Sequence, residues 1–263
     1  MKPIRLAAFL ICLACSSASA QQNQSANCDP LIDKALEVTG VKEVLEQMPA
    51  QIRSQVGASG SNFNATDRRV VLRTMTRMFD PAGLLRGLKQ AYLVKCEPEM
   101  LQTVVATFDT PLAQRMRKLE TFAATPEGTQ EIEAYRRQLM LLHAASDARY
   151  ALAERLDQLT GGSEFALAVA VGVAKGTAAA LGRPMPTGTD LASLRSQSMP
   201  YIRSAQIVTA LFTYRDVSDE DLKQYVGMYE IPAVQQFTTI LESAVVDTID
   251  KQARQATLDR RQQ

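Results

Sequence analysis

The sequence predicts an all-α fold, a helical bundle built from two related helical hairpins plus a long central helix. Apolar residues recur at three- and four-residue spacing along nearly the whole chain, which is the periodicity of amphipathic helices. Strand signals are almost absent, because β-branched residues are dispersed on helical faces and no Asn-Gly or Asp-Gly turn occurs. A short segment also occurs twice, 121 positions apart, which predicts that one helical unit is built twice.

The first twenty residues have the pattern of a secretory signal. Lys2 and Arg5 form a positive start, a short apolar run follows at 6–15, and a small-x-small site ends at Ala20. The apolar run is about ten residues long, whereas a membrane span needs roughly 20. We therefore expect export to the periplasm, cleavage after Ala20 and no transmembrane span in the mature chain.

The alternative for this segment is a lipoprotein signal with Cys15 as the acylated residue. Such a signal needs an aliphatic residue three positions before the acylated cysteine. Cys12 stands at that position, so the sequence favours cleavage after Ala20 over lipidation of Cys15.

The charge balance argues against a nucleic-acid partner. The chain has 29 basic and 28 acidic residues, and losing residues 1–20 removes two of the basic ones, which leaves a net charge of −1. Nucleic-acid affinity rests on clustered cations, and a near-neutral chain lacks that excess. Residues 21–263 can bury a substantial core, and we predict a single all-α domain with related halves at about 82–124 and 203–246.

Removing the signal leaves two cysteines, Cys28 and Cys96. Exported chains with two cysteines usually pair them. The predicted disulfide closes a loop of about 69 residues, which in the chain-entropy model stabilises the fold by roughly 4 kcal/mol. The alternatives are two free thiols or a bond to another chain. An internal bond would join the N-terminal helix to the start of the first repeated segment.

Helix signals in the first third of the chain come from caps and prolines. Asp29-Pro30 starts a helix that Gly40 ends, and the next apolar stripe continues to Val56 with a kink at Pro49. A loop follows at 57–62. Thr66 is the expected cap of the next helix, and Asp80-Pro81 starts another. The apolar face between them comprises Val70, Val71, Met75, Met78 and Phe79.

The longest helical stretch runs from Thr125-Pro126 to Gly161-Gly162, with a kink or break near Ser146-Asp147 as the alternative to one long helix. Residues 164–182 are rich in Ala and Val. A buried core helix is favoured over a membrane span because the apolar run is short and Lys175 interrupts it. A linker at 182–188, helices near 190–198 and 200–214, and a polar tail from 251 complete the chain.

The repeated segments lie at 97–120 and 218–242 and share identical or similar residues at equivalent positions. Each predicts a short helix, a proline break and a second helix, with the aromatic residue just before the break. That aromatic either forms a binding surface or plugs into the core at a helical corner, and the sequence favours the corner. The matched residues are Leu101, Val105, Phe108, Pro111 and Gln114 in the first copy, and Leu222, Val226, Tyr229, Pro232 and Gln235 in the second.

The second copy resembles the bacterial exported "domain of unknown function 2059" family. That family carries an acidic helix start followed by an aromatic pair and Ser-Pro-x-Gly, and the run from Asp221 to Val234 is similar to it. Met228 replaces the first aromatic and Ile231 the serine. Residues 108–113 form a looser second match. The resemblance covers roughly a fifth of the chain and implies a helical, exported domain without catalytic residues to carry over.

No catalytic or metal-binding pattern is apparent. His143 is the sole histidine, and Ser146 and Asp147 lie within about one helical turn of it, whereas a catalytic triad draws its side chains from separate elements. One histidine and two paired cysteines do not make a zinc site. Lys175 is interpreted as a lysine that reaches toward solvent. We therefore predict no catalytic residues, no cofactor and no metal.

The resulting hypothesis is a non-catalytic helical envelope protein that binds another envelope protein or an apolar ligand. The alternative is a periplasmic carrier of a lipid or other apolar small molecule, with its cavity between the long helix and residues 164–182. An enzyme with an unrecognised site is the third possibility. The residues distinguish these hypotheses only weakly, because a repeat of this kind reports architecture rather than chemistry.

Overall fold

The structure is a computed structural model that describes residues 28–58, 63–142, 145–184 and 186–261. Within these ranges no strand occurs, and the prediction of an all-α fold is confirmed. The proposed signal at 1–20, including Cys15 and the site after Ala20, lies outside the described residues.

Twelve helical segments account for most of the described residues, and most of them begin with a proline or directly after a capping side chain. In chain order they are α1 (28–38), α2 (Val41–Ala58), α3 (Ala65–Met78), α4 (Pro81–Val94), α5 (Pro98–Phe108), α6 (Pro111–Ala123), α7 (Pro126–Leu142), α8 (Asp147–Thr160), α9 (Gly162–Leu181), α10 (Gly188–Thr213), α11 (Asp219–Tyr229) and α12 (Pro232–Arg261).

Two predicted helix starts in this region are wrong. Cys28 is already helical, so Asp29 is not the cap, and Pro30 sits in the first described turn, where proline is tolerated. Asn64, rather than Thr66, caps α3 by accepting a hydrogen bond from the Asp67 backbone N–H at 2.8 Å. Asn64 has the extended backbone of a capping residue, with φ of −69° and ψ of 168°, whereas Thr66 already lies within the helix.

The remaining boundaries of the first third also show small differences. Gly40 ends the first helical segment with φ of 75°, a conformation that favours glycine. Helix α2 continues through Pro49 and takes in the first two residues of the predicted loop, while 59–62 lie outside the described residues. Val70 is 38% exposed and is not part of the buried face of α3, whereas Val71, Met75 and Met78 are buried.

The predicted long central helix is two helices, α7 and α8. Ser146 caps α8 by accepting from the Arg149 backbone N–H at 3.3 Å, and the break falls at the position given as the alternative. Gly161 ends α8 with φ of 61°, and α9 begins at the next residue without a loop. The stretch from Pro126 to Leu181 therefore forms three successive helices instead of one long helix followed by another.

The C-terminal part is more continuous than predicted. Helix α10 runs unbroken through Pro200, where two helices were expected, and its capping box at Thr187 and Asp190 starts it. A proline removes one backbone hydrogen bond from a helix but need not end it when packing holds both sides. The predicted polar tail belongs to α12, because Ala253 is fully buried in the core and keeps the helix docked.

Helix α12 is the central element of the main core, since it packs against α9, α4, α5 and α3. A smaller apolar cluster lies between α7, α8 and α10 and contains Ile132, Leu139, Ala153 and Phe212. The first helix pair, α5–α6, meets the second pair, α11–α12, because α5 packs on α12 and α6 on α11. An ion pair between Arg115 and Asp221 at 2.6 Å adds to the contact between α6 and α11.

The predicted disulfide between Cys28 and Cys96 is present, with Cα atoms 6.0 Å apart. Cys28 lies on α1 and is fully buried, and Cys96 precedes α5. The bond therefore ties the first described helix to the start of the first helix pair, as the sequence predicts.

Among the described residues, α9 alone is long and apolar enough to cross a membrane. Of its most apolar 18-residue stretch, 33% is buried inside the protein. It packs on α12, α3 and α10. Two glycines permit α9 to approach α12 and α3 closely. A Cβ on Gly172 would lie 2.6 Å from Cγ2 of Ile249 on α12, and one on Gly176 would lie 2.5 Å from Sδ of Met78 on α3. Lys175 forms an ion pair with Asp250 of α12, so these contacts accommodate its charge.

Candidate functional site

The aromatic residue that ends α5 packs against the aromatic residue that ends α11. The rings of Phe108 and Tyr229 meet edge to face, with centroids 5.1 Å apart and an interplanar angle of 62°. This is a favoured arrangement of two aromatic rings. Pro111 and Pro232 each start a new helix three residues later, so the backbone turns away from the contact on both sides. The ring pair thus marks the place where the two helix pairs meet.

A cavity of about 140 Å³ lies beside this ring pair. Its wall combines the two aromatic ends with residues of α8, α12 and the turn between α1 and α2. The wall is mainly apolar and carries four hydroxyl groups. It consists of Thr39, Val41, Phe108, Thr160, Tyr229, Val234, Phe237, Thr238 and Leu241.

The three threonine hydroxyls of the wall already have acceptors. Each donates to the backbone carbonyl four residues earlier in the chain, at 2.7 Å for Thr39, 2.8 Å for Thr160 and 3.0 Å for Thr238. Such bonds are common for threonine in helices. Because a hydroxyl has one proton, these side chains keep only methyl groups and oxygen lone pairs for the cavity.

The fourth hydroxyl, that of Tyr229, belongs to a chain that ends at a carboxylate. Glu120, near the end of α6, accepts hydrogen bonds from Tyr214 at 2.5 Å and from Tyr225 at 2.7 Å. The hydroxyl oxygens of Tyr225 and Tyr229 are 3.2 Å apart. Since Tyr225 uses its single proton on Glu120, Tyr229 is the donor of the bond to Tyr225. The chain therefore runs from the cavity wall to Glu120.

Burial raises the pKa of Glu120 above its ordinary value of 4.5, and the hydrogen bonds from Tyr214 and Tyr225 and the charge of Arg117 offset part of that rise. Burial, followed by the nearby charge of Glu120, also raises the pKa of Tyr214, Tyr225 and Tyr229. The tyrosines consequently stay protonated near neutral pH. Glu120 is the group of this cluster whose charge can change in the acidic range.

Arg149 of α8 positions the turn that carries Tyr214. Its guanidinium donates to the backbone carbonyl of Tyr214, to that of Val217 at 2.6 Å, and to the carboxylate of Asp219 at the start of α11. The side chain is only 16% exposed. Charge-assisted bonds to helix-end carbonyls satisfy groups that a helix leaves without partners. Arg149 thereby fixes α11, and with it Tyr225 and Tyr229, relative to α10.

The ten repeat residues divide into buried, half-buried and exposed sets. Leu101, Phe108, Leu222 and Val226 are buried, Val105 and Tyr229 are half-buried, and the remaining four lie at the surface. The exposed members are Pro111, Gln114, Pro232 and Gln235. Phe108 is 3% exposed and belongs to the main core, which agrees with the interpretation of a corner. Phe108 and Tyr229 are also the two repeat residues on the cavity wall.

The residues considered for catalysis have other surroundings. His143 lies outside the described residues, Ser146 is a helix cap, and Lys175 is paired with Asp250. Within the described ranges, no group of three or more His, Cys, Asp and Glu side chains is arranged to hold a metal ion. The groups at the cavity are thus ring faces, aliphatic side chains and hydroxyls, which can bind a ligand by packing and by accepting hydrogen bonds.

Sequence reasoning missed Glu120, Tyr214 and the position of the cavity. The alternative function placed a cavity between the long helix and 164–182, and the cavity described above lies elsewhere, where the helix pairs meet. One signal for Glu120 was available: it follows the apolar residue Met116 by four positions, so both lie on the same helix face. A carboxylate on a buried face needs hydrogen-bond donors, and the tyrosines provide them.

Comparison with known proteins adds no identification. The chain matches no protein-family model, no curated protein and no solved structure.

Proposed function

We propose that the protein is an exported, non-catalytic helical protein of the bacterial envelope that binds a small apolar molecule between its two helix pairs. The observation that carries the proposal is the cavity beside Phe108 and Tyr229. Its wall is formed by five elements distant in sequence, so the folded chain brings the site together. Apolar pockets with a few polar groups are the usual form of small-molecule sites.

The size of the cavity indicates the size of the ligand. A cavity of about 150 Å³ lined by apolar side chains holds one benzene-sized molecule. The volume of about 140 Å³ therefore suits a single-ring compound, whereas the acyl chain of a lipid would extend out of the open side of the cavity. Of the ligands considered for a periplasmic carrier, the small apolar molecule is favoured over the lipid.

Export is supported by the signal-like start and by the Cys28–Cys96 disulfide, since disulfides persist in oxidising compartments such as the periplasm. The resemblance to the domain of unknown function 2059 family also implies an exported helical protein. Mass spectrometry of the chain from a periplasmic fraction tests this, and we expect a mature N-terminus at Gln21. An intact N-terminus in the cytoplasmic fraction would contradict export, and a lipid on Cys15 would establish the alternative.

The ligand proposal is tested by titrating the purified mature protein with benzene and following backbone amide chemical shifts by NMR. We expect saturable shifts confined to the residues around the cavity. Thr238→Leu fills the cavity without leaving a polar partner unsatisfied, because the Thr238 hydroxyl bonds only to its own helix. This variant should lose benzene binding while keeping the native spectrum elsewhere.

Thr239→Leu is the matched control, because Thr239 is exposed on the same helix and also donates to the carbonyl four residues earlier, at 2.9 Å. It should bind benzene as the unmodified protein does. Equal loss of binding in both variants, or no saturable shift in the unmodified protein, would refute the site.

An acidic envelope protein is a second candidate partner, favoured by one feature of α3. Arg69, Arg73 and Arg77 follow one another at four-residue spacing, are exposed, and form no ion pair with the described residues. Like charges at this spacing repel each other, and an acidic partner would relieve the repulsion. Replacing all three by Gln should abolish capture of such a partner from envelope extract, whereas Arg86→Gln on α4 should not.

A further inference from the structure

We infer that the cavity selects a small ring compound that carries a hydrogen-bond donor over one of the same shape that carries only an acceptor. The inference rests on the proposed function and names the chemistry of its ligand. It follows from the direction of the hydrogen bonds made by Thr39, Thr160, Thr238 and Tyr229, the four cavity-lining residues that carry a hydroxyl group.

The hydroxyl proton of each threonine on the wall is already used in a hydrogen bond within the protein. The hydroxyls of Thr39, Thr160 and Thr238 donate to carbonyls of their own segments at 2.7 to 3.0 Å. A ligand can therefore meet these oxygens only by donating to them. An acceptor on the ligand would face lone pairs and would lose its hydrogen bonds to water without replacement.

The Tyr229 hydroxyl can also only accept a hydrogen bond from a ligand, but for a different reason. Its proton is directed to Tyr225, because Tyr225 donates in turn to Glu120 at 2.7 Å. Successive hydrogen bonds in one direction polarise each other, so the Tyr229 oxygen is a better acceptor than an isolated phenol oxygen. A donor on the ligand would extend the chain from ligand to Tyr229, to Tyr225 and to Glu120.

The lining residue Val41 carries a backbone N–H, which has the opposite hydrogen-bonding polarity. Val41 lies in the first turn of α2, where backbone N–H groups have no carbonyl partner within the helix. If that N–H governed recognition, a ligand with an acceptor would bind better. Recognition by the hydroxyl oxygens favours a ligand with a donor, and recognition by the Val41 N–H favours one with an acceptor. Two ligands that differ only in this group therefore distinguish the two.

Pyrrole and furan are such a pair, since both are five-membered aromatic rings and pyrrole has an N–H where furan has an oxygen. We expect pyrrole to bind roughly 2- to 13-fold more tightly than furan, which corresponds to one net hydrogen bond. Dissociation constants come from amide chemical shifts of the purified mature protein at neutral pH. Equal affinities, or tighter binding of furan, would overturn the inference while leaving the proposed function intact.

Four single variants identify the accepting oxygen: Thr39→Val, Thr160→Val, Thr238→Val and Tyr229→Phe. Each retains the approximate shape of its side chain and removes one hydroxyl. At least one should reduce the preference for pyrrole to about onefold while binding benzene as before. If the preference survives in all four, these hydroxyls do not cause it and the inference is wrong. Failure of benzene, pyrrole and furan alike to bind would instead refute the proposed function.

Discussion

The hydroxyl of Tyr92, on α4, donates to the backbone carbonyl of Phe237, on α12, at 2.8 Å, and the two rings stack with centroids 4.8 Å apart. Tyr92 is 1% exposed, and Phe237 is 3% exposed. One side chain therefore joins two helices by both a polar and an apolar contact. Phe237 also lines the cavity, so this contact holds the cavity wall against α4.

Replacing Tyr92 by Phe should lower the free energy of unfolding by about 1 kcal/mol, the usual net value of one hydrogen bond. The ring contact remains, and the Phe237 carbonyl keeps its helical partner, so the loss is limited to the hydroxyl. Urea unfolding followed by circular dichroism measures it. Tyr201→Phe is the control, because Tyr201 is 79% exposed and its hydroxyl should contribute almost nothing.

Glu120→Gln should make stability less dependent on pH. Because burial raises the pKa of Glu120 in the folded state, the folded chain binds this proton more readily than the unfolded chain. The contribution of Glu120 to the free energy of unfolding is therefore most favourable below pH 4.5, and it is lost as the pH rises through the folded-state pKa. The unfolding free energy of the variant minus that of the unmodified protein should grow from about pH 4.5 toward neutrality.

Glu120→Ala is the companion variant, since it also removes the charge but leaves the Tyr214 and Tyr225 hydroxyls without their acceptor. It should cost about 1–3 kcal/mol below pH 4.5 and less as the pH rises, because it removes the same titrating group. A difference between Glu120→Gln and the unmodified protein that does not vary with pH would show that the carboxyl titrates normally.

Reduction of the Cys28–Cys96 disulfide should destabilise the fold by about 4 kcal/mol, because the unfolded chain regains the freedom of the closed loop. Intact-mass measurement should show the oxidised protein two hydrogens lighter than the reduced form. The Cys28→Ala, Cys96→Ala double variant should unfold at the same urea concentration with and without reductant. Two alkylatable thiols in the unreduced protein would contradict the internal bond.

Lys175→Met should destabilise the protein by about 1–3 kcal/mol, because it leaves Asp250 largely enclosed without its partner. The side chains are 14% and 31% exposed. The double variant Lys175→Met, Asp250→Leu should be more stable than the single one, since no lone charge remains. Arg195→Met is the control: its pair with Glu164 is about half exposed, and its loss should cost no more than about 1 kcal/mol.

Gly172→Ala and Gly227→Ala should have opposite effects on thermal stability. A Cβ on Gly172 would lie 2.6 Å from the branched side chain of Ile249 and 3.2 Å from Phe79, so overpacking should cost about 1–3 kcal/mol. A Cβ on Gly227 meets nothing within 4 Å, and alanine should stabilise α11 by up to about 1 kcal/mol. A stabilised Gly172→Ala would mean that α9 and α12 are less closely packed than described.

The features predicted correctly from sequence are those set by local chemistry. Asp80 caps the helix that begins at Pro81, as expected, and accepts from a backbone N–H at 2.8 Å. Thr110 likewise caps the helix that begins at Pro111, at 3.3 Å. Helical periodicity and the absence of strand signals predicted the fold class for the same reason. Errors arose where packing outweighed local preference, as at Pro200, where α10 continues, and in the supposed tail, where Ala253 is buried.

The sequence by itself determined that the chain is all-α, where most helices begin and end, and that Cys28 and Cys96 can pair. These properties depend on neighbouring residues, or on the small number of cysteines in the chain. Only the tertiary structure decided that Phe108 meets Tyr229, that Glu120 receives two tyrosine hydroxyls, and that a cavity remains beside them. Such contacts depend on how distant helices approach each other, which residue spacing along one helix does not specify.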